Sequence, residues 1–324
     1  MTAKSSIKEL MNTWSERGVP FLFIIDYEQQ KPLIFRLNEI DPRKIMFEVN
    51  GFTNNPGYKA TCKKLRLIKY PEKYEEYHRK FNRVQEEINY GNSYLLNLTC
   101  ATPIELNMTL RDVFLRSNAR YKLWVDEEFV CFSPEIFITI RDGIIRSFPM
   151  KGTIDASIPE AESIIMNDPK EIAEHYTIVD LLRNDLNAVS SHVRVERFRY
   201  IETIITHEKS LLQVSSEICG ELGGNFFPRI GDIIFSMLPA GSVSGAPKKK
   251  TVEIIREVEK CDRGYYTGIF GVFDGKKLDS GVMIRFIEKR NDEYIFRSGG
   301  GITSFSNPET EYREMIDKIY VPFV

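Results

Sequence analysis

The sequence lacks the features that mark several classes of protein. Its 324 residues include only five cysteines and four histidines, and no two cysteines are spaced as C-x-x-C. Because thiolate and zinc ligands usually come in such closely spaced pairs, we expect no zinc site. The isolated cysteines instead favour a reduced, cytoplasmic protein.

The sequence also lacks an excess of one charge and a long apolar run. Its 44 Lys and Arg residues nearly balance its 46 Asp and Glu residues, and the formal net charge is −2. A nucleic-acid-binding protein usually carries a basic surplus, and the longest basic run, 248–250, is too short to indicate one. No apolar run approaches the ~20 residues that span a bilayer, and the N-terminus does not resemble a signal peptide. We therefore expect neither a nucleic acid nor a membrane as a partner.

The apolar content is sufficient for a large folded core. Hydrophobic residues make up 42% of the chain. Strand-like runs fill a β-rich N-terminal region over 1–70, and helices and strands follow one another irregularly over 71–324. Turn sequences at 273–276 and 290–293 predict hairpins, which favours antiparallel pairing. Since strands and helices do not alternate regularly, we expect a single α+β domain and not a Rossmann fold.

One pair of glutamates lies on one face of a predicted helix. Asp168 and Pro169 predict the start of a helix that runs to about Leu186. Glu171 and Glu174 are three residues apart in it and share a face. They could stabilise the first turn through the helix dipole, or point inward and require a cation.

The last predicted helix, about 308–320, repeats this pattern. Glu311, Glu314 and Lys318 share a face, which an ordinary solvated surface with a Glu–Lys pair would explain. Taken together, however, four carboxylates from two helices form a set of hard oxygen donors. Such a set suits Mg²⁺, which keeps waters and takes substrate oxygens as further ligands.

Two glycine-rich segments and two cations also attract attention. The segment 239–248 runs into a helix and could expose backbone N–H groups to an anion, and 299–301 either approaches a ligand closely or forms a tight bend.

Arg285 lies in an apolar strand predicted over 277–289, where it requires a carboxylate from the protein or from a substrate. Lys151 could be a nucleophile, although a lone lysine is usually a surface charge.

Six segments, in the same order, resemble one family. The family is that of the chorismate-utilising enzymes, which includes component I of aminodeoxychorismate synthase and of anthranilate synthase, and the isochorismate and salicylate synthases. The segments are 133–137 (SPEIF), 148–153 (FPMKGT), 170–186, 238–248 (LPAGSVSGAPK), 263–268 (RGYYTG) and 299–302 (GGGI) with Glu311 and Glu314. The resemblance covers about 70–324. It implies an α/β sandwich of two large, mainly antiparallel sheets packed together, with helices outside and the catalytic site in a cleft.

The resemblance also implies a metal and a substrate site. Glu174 and Glu314 would bind Mg²⁺ directly, with Glu171 and Glu311 in support, and the metal would hold the ring carboxylate of chorismate. The positions that match substrate contacts of the family are Thr153, Tyr266, Arg285, Gly301 and Lys318. Of these, Tyr266 and Arg285 match positions that bind the enolpyruvyl carboxylate.

Two further positions match residues that determine the reaction. Lys151 matches the lysine of aminodeoxychorismate synthases, where anthranilate synthases carry alanine. There the amine is proposed to add at C2 of chorismate as the C4 hydroxyl leaves, before ammonia attacks C4. Glu135 matches the acid/base carboxylate that could protonate the departing hydroxyl. Leu95 stands where isochorismate and salicylate synthases place a water-activating lysine, which argues against those activities.

The resemblance therefore favours component I of aminodeoxychorismate synthase, in the synthesis of para-aminobenzoate and folate. None of the cysteines lies in the nucleophile elbow of a glutaminase, so ammonia would come from a glutamine amidotransferase partner or from solution. One alternative is component I of anthranilate synthase. Another is a non-catalytic chorismate-binding subunit, because Leu212 and Leu95 replace a His and a Gln that are usual in the family. Ile154 also stands where an Arg is common in the family.

Overall fold

The computed structural model describes residues 3–60, 64–205 and 210–323, and these residues form two nine-stranded sheets and eight α-helices. The helices are α1 Ala3–Glu16, α2 Tyr74–Asn89, α3 Leu110–Arg116, α4 Ala161–Asn167, α5 Pro169–Asn187, α6 Ile230–Met237, α7 Lys248–Glu259 and α8 Pro308–Asp317. The strands are β1 Phe21–Ile25, β2 Leu33–Arg36, β3 Ile45–Val49, β4 Phe52–Thr53, β5 Leu67–Lys69, β6 Leu95–Leu106, β7 Tyr121–Val125, β8 Phe129–Ser133, β9 Ile136–Arg141, β10 Ile144–Ser147, β11 Met150–Asp155, β12 Ser191–Ile205, β13 Ser210–Glu221, β14 Gly245–Ala246, β15 Ile269–Phe273, β16 Leu278–Val282, β17 Phe286–Arg290 and β18 Glu293–Ile302.

The two sheets are antiparallel throughout the described strand pairs. The first has the order β11-β13-β10-β9-β16-β15-β1-β2, with β12 also paired to β13. The second has the order β14-β6-β18-β17-β8-β7-β3-β4, with β5 also paired to β6. Strands of the N-terminal region enter both sheets: β1 and β2 lie in the first, and β3, β4 and β5 in the second. The expected α+β fold with large antiparallel sheets is confirmed.

Strand β1 shows how the alternation of side chains builds the core. Phe21, Phe23 and Ile25 belong to an apolar cluster that includes residues of α1, α5 and α6. Leu22 and Ile24 face the other way, into a cluster between the two sheets. The second sheet packs against the helices on its outer side through two apolar clusters. One cluster includes residues of α3, and the other includes residues of α2, α7 and α8. The layers are thus helices, sheet, sheet and helices, which explains why β1 is buried on both faces.

Two of the points at which the chain passes from one sheet to the other lie side by side. A short segment with Glu135 leads from β8 to β9, and another with Arg285 leads from β16 to β17. The N–H of Val282 donates to the carbonyl of Glu135 at 3.1 Å, and the N–H of Phe132 donates to the carbonyl of Arg285 at 3.1 Å. These bonds hold the two crossovers side by side, and residues far apart in the sequence meet there.

The continuous strand predicted over 277–289 is wrong. Arg285 has a φ of 54°, a conformation that non-glycine residues rarely adopt and that interrupts a strand. The segment therefore divides into β16 and β17, which belong to different sheets. Arg285 lies at the turn between them and not within an apolar strand.

The start of α5 agrees with its capping signal. Asp168 Oδ1 accepts a hydrogen bond from the N–H of Glu171 at 3.0 Å, and α5 begins at Pro169 as predicted. Helices α3 and α4 were not predicted, because seven residues are too few to show a helical repeat of apolar positions. In the described parts of the chain, no helix is both long and apolar enough to span a membrane.

Candidate active site

A cleft of about 250 Å³ lies where the two crossovers meet the ends of several strands. It joins a second cavity of about 350 Å³, and six residues line both: Lys151, Gly152, Thr153, Gly301, Glu314 and Lys318. The first cavity is also lined by Glu135, Tyr266 and Arg285, and the second by Glu171, Glu174 and Glu311. The structure therefore brings every site residue that the sequence indicated to one joined cleft.

Helices α5 and α8 both turn their glutamates towards the second cavity. The solvated face considered for α8 is wrong for Glu311, which is only 4% exposed, whereas Glu314 is exposed and forms the expected pair with Lys318. The backbone opposite is bare: a Cβ on Gly152 would lie 2.9 Å from Glu171 Oε2, and a Cβ on Gly300 would lie 3.3 Å from Glu311 Oε2. Because glycine has no Cβ, Gly152 and Gly300 leave room for the carboxylates of Glu171 and Glu311.

The donor chemistry of this second cavity fits Mg²⁺. Within the described ranges, no three His, Cys, Asp or Glu side chains are gathered into a ready-made metal cage. Mg²⁺ does not require one, because it is usually held by one or two carboxylates and keeps several waters. Two lysine side chains lie beside these acids: Lys151 Nζ is 3.5 Å from Glu174 Oε2, and Lys318 Nζ is 2.7 Å from Glu314 Oε1.

The three glycines at 299–301 lie inside β18 and pair with β6. The alternative of a tight bend is therefore wrong. A Cβ on Gly301 would lie 3.0 Å from Leu95 Cδ1 and 3.4 Å from Lys151 Nζ, and a Cβ on Gly300 would lie 3.6 Å from Lys318 Nζ. Two lysine side chains thus approach a strand that carries no side chains of its own on this stretch.

The glycine-rich turn before α7 positions a serine. Ser242 Oγ donates a hydrogen bond to Glu135 Oε1. The turn is anchored to α5 by the ion pair of Lys248 Nζ and Asp185 Oδ1 at 2.7 Å. The N–H of Val243 donates to a carbonyl within the turn, so this amide is not available to an anion. The turn orients a hydroxyl group, which differs from the anion-binding loop that the sequence suggested.

Burial shifts two titratable groups of the cleft towards their neutral forms. It raises the pKa of Glu135, although the Ser242 hydroxyl and three cations of the cleft oppose this shift. It lowers the pKa of Lys318, whereas the neighbouring Glu314 acts in the opposite direction. A carboxyl group that stays protonated above its usual range is suited to proton donation.

Arg285 enters the cleft without a carboxylate partner from the described part of the chain. No described residue forms an ion pair with its guanidinium, and its Nε is buried without a hydrogen-bond acceptor. The structural carboxylate partner considered from the sequence is therefore wrong. Because an unsatisfied buried donor is costly, the arrangement is suited to an anionic ligand that supplies the acceptor.

Five polar residues that line the cleft were not named as site residues from the sequence. They are Asn97, Ser147, Gln213, Ser242 and Thr267. Gln213 lies opposite Thr153 in the pairing of β11 with β13, whereas Leu212 is not among the described residues that line the cleft. Only the alternation of β13 could have shown Gln213 in the sequence, since no motif surrounds it.

Comparison with known proteins identifies the family. The family model described as chorismate binding enzyme matches residues 22–323. The chain belongs to the chorismate binding enzymes. It is 49% identical to a protein of Haemophilus influenzae described as an uncharacterized PabA-like protein, over 97% of this chain and 95% of that protein.

This chorismate binding enzyme is also similar to one further relative in sequence and to one solved structure. It is 31% identical to component 1 of aminodeoxychorismate synthase from Bacillus subtilis over 74% of its length, and it spans about half of that relative, 53%. A crystal structure described as a 2,3-dihydroxybenzoate-specific isochorismate synthase from Bacillus anthracis matches with a TM-score of 0.74 and 19% identity. The match covers 98% of this chain and 88% of that one, and it confirms the α/β sandwich.

Proposed function

We propose that the protein is component I of an aminodeoxychorismate synthase. It would aminate chorismate at C4 to give 4-amino-4-deoxychorismate, for the synthesis of para-aminobenzoate and folate. The observation that carries this proposal is the position of Lys151. Its amine lies 3.5 Å from Glu174 Oε2 and against the bare backbone at Gly301, within the joined cleft.

Chorismate is a dianion, and the cleft offers cationic groups at both ends. Arg285, with its buried and unsatisfied Nε, would bind the enolpyruvyl carboxylate together with Tyr266 and the amide of Gly301. Thr153 and Lys318 would supply further contacts from the shared wall of the two cavities.

The ring carboxylate would lie towards the second cavity. Glu174 and Glu314 would hold Mg²⁺ there, with Glu171 and Glu311 in support. Bound Mg²⁺ would neutralise the ring carboxylate and orient it.

The protein's own residues would divide the substitution into two steps. Lys151, as a neutral amine, forms a bond to C2 while the double bond shifts and the C4–O bond breaks. Glu135 gives its proton to the departing hydroxyl, which leaves as water. Ammonia then forms a bond to C4, the double bond shifts back and the C2–N bond breaks. The displaced Lys151 leaves as a neutral amine, and the excess proton of the added ammonia returns to the Glu135 carboxylate, so one water is lost for each ammonia gained and both groups are restored.

We infer that a glutamine amidotransferase subunit supplies the ammonia. The sequence motif of a glutaminase nucleophile surrounds none of the five cysteines. Turnover with glutamine should therefore rise when the cognate amidotransferase is added. The inference fails if glutamine with that subunit supports no more turnover than glutamine alone.

Product identification tests the proposed reaction. Purified protein with chorismate, MgCl₂ and ammonium at mildly alkaline pH should give aminodeoxychorismate in mass-detected chromatography. Anthranilate would instead show that Lys151 does not determine the outcome. If neither product forms, the same assay with the amidotransferase and glutamine distinguishes an obligatory partner from a non-catalytic subunit.

The proposed Mg²⁺ site predicts a selective effect at one glutamate of α8. The Glu314→Gln variant should raise the Mg²⁺ concentration for half-maximal turnover by at least about tenfold, because it removes a proposed direct ligand. Glu309, in the first turn of the same helix, is exposed and does not line the cavity among the described residues. The control Glu309→Gln should leave the Mg²⁺ dependence unchanged. An equal Mg²⁺ dependence of both variants would contradict the assignment.

A further inference from the structure

The guanidinium of Arg285 lies against one aromatic ring. Its Cζ is 5.3 Å from the centroid of the Tyr320 ring. No carboxylate of the described residues pairs with it, and its Nε has no acceptor. The ring of Tyr320 is therefore the side-chain contact that the structure gives to the charged end of Arg285.

We propose that Tyr320 is a positioning residue for anion binding at Arg285. The guanidinium lies over the Tyr320 ring, and because this contact is not a hydrogen bond to an acceptor, it leaves the N–H groups to a carboxylate in the cleft. A cation over an aromatic face is attracted by the electron-rich ring, and a planar guanidinium stacks well on it. Tyr320 is 45% exposed, so its side chain contacts solvent as well as the guanidinium.

The segment that carries Tyr320 is firmly anchored. Its neighbours Ile319 and Val321 are 0% and 7% exposed and belong to the apolar cluster on the outer side of the second sheet. The N–H of Asn118 donates to the carbonyl of Pro322 at 2.7 Å. With both neighbours buried, the Tyr320 side chain projects from a fixed point on the backbone.

Arg285 depends on such a contact because little else orients its side chain. It lies on a crossover with a φ of 54°, and its side chain has several rotatable bonds that burial must restrict. An ion pair would restrict them, but it would also compete with a ligand carboxylate. An aromatic ring orients the guanidinium and leaves its hydrogen-bond donors free.

The same short segment carries both Tyr320, which contacts Arg285, and Lys318, which lines both cavities. Tyr320 follows Lys318 by two residues, and both line an outer groove with Glu314. A change at Tyr320 should therefore weaken ground-state binding and leave the reacting groups, Lys151 and Glu135, in place. This inference rests on the proposed function only in naming the ligand as the enolpyruvyl carboxylate.

Steady-state kinetics with chorismate provide the first test. The Tyr320→Leu variant removes the aromatic ring but keeps an apolar side chain, and it should raise KM for chorismate roughly tenfold with kcat within about twofold. The Tyr320→Phe variant should restore the normal KM. A control, Tyr90→Leu, removes a ring that is 80% exposed at the end of α2 and should change nothing. An unchanged KM in Tyr320→Leu, or a loss that phenylalanine does not restore, would overturn the proposal.

A second test does not depend on turnover. The ¹⁵N-labelled Arg Nε–H signal that disappears in Arg285→Lys identifies Arg285, and the ring current of Tyr320 should displace it. The displacement should persist in Tyr320→Phe and vanish in Tyr320→Leu. Titration with pyruvate, a small carboxylate probe, should move the same signal, with a roughly tenfold higher apparent Kd in Tyr320→Leu.

The two tests fail in different ways. If the protein does not aminate chorismate but pyruvate binds at Arg285 with the expected dependence on Tyr320, the proposed function is wrong and the positioning role stands. If pyruvate leaves the Arg285 signal unmoved, or moves it equally in both variants, the positioning role is wrong whatever the reaction.

Discussion

The Lys151→Ala variant should lose amination of chorismate by roughly three orders of magnitude, because removal of a covalent nucleophile abolishes the route that divides the reaction. The structure makes this side chain hard to replace. Its amine lies between a carboxylate of α5 and the bare β18 backbone, 3.5 Å from Glu174 Oε2. Among the described residues that line both cavities, the other amine belongs to Lys318, and it is held by Glu314 at 2.7 Å.

Intact-mass analysis after rapid quenching tests the covalent step directly. Wild-type protein mixed with chorismate should show an added mass equal to chorismate less one water, and Lys151→Ala should show none. Lys249→Ala, which removes an exposed lysine from the first turn of α7, is the matched control and should keep full turnover. Diversion of Lys151→Ala to anthranilate would also identify Lys151 as the residue that determines the product. Unaffected amination by Lys151→Ala would remove the covalent proposal.

The parts of the site carried by helices could be predicted from the sequence. The Asp168-Pro169 signal predicts the residue at which α5 begins. The three-residue spacing of Glu171 and Glu174 then puts both side chains on one face of that helix. Local spacing alone left open whether that face was buried or solvated. The resemblance to the family favoured the inward orientation, and in the structure both glutamates are half-buried and line the second cavity.

The parts of the site carried by strand ends and crossovers could not be predicted in the same way. The apolar residues around Arg285 have strand character, and nothing local indicates that the chain changes sheets there with a positive φ. The glycines at 299–301 continue a strand because β6 pairs with them along their whole length. Pairing partners of this kind are distant in sequence, so local propensity does not report them.

Long-range contacts also explain why Ser242 and Gln213 were missed. Ser242 contributes to the site through its hydrogen bond to Glu135, which lies on the crossover from β8 to β9 and is distant in sequence. Gln213 gains its position from the register of β13 with β11. Neither residue is charged, and although Ser242 lies within the segment 238–248, each becomes notable as a site residue only through a neighbour in space.

The second large effect should come from Glu135→Gln, which keeps the size of the side chain but cannot donate a carboxylic proton. We expect turnover to fall by about 10²- to 10⁴-fold, the usual contribution of a general acid. Glu309→Gln, which removes an exposed carboxylate outside the cleft, is the control. Normal turnover in Glu135→Gln would show that another group protonates the departing hydroxyl.

The pH dependence distinguishes proton donation from a merely structural role of Glu135. Burial raises the pKa of Glu135, so its protonated form persists above the usual carboxyl range, and turnover that requires this form should fall as the pH rises through the raised value. The Ser242 hydroxyl stabilises the charged form and opposes the shift, so Ser242→Ala should move this alkaline limb to higher pH. In Glu135→Gln the limb should disappear from the residual activity. If the limb stays in place in both variants, another group titrates there, and Glu135 acts by holding Ser242 and the glycine-rich turn in position.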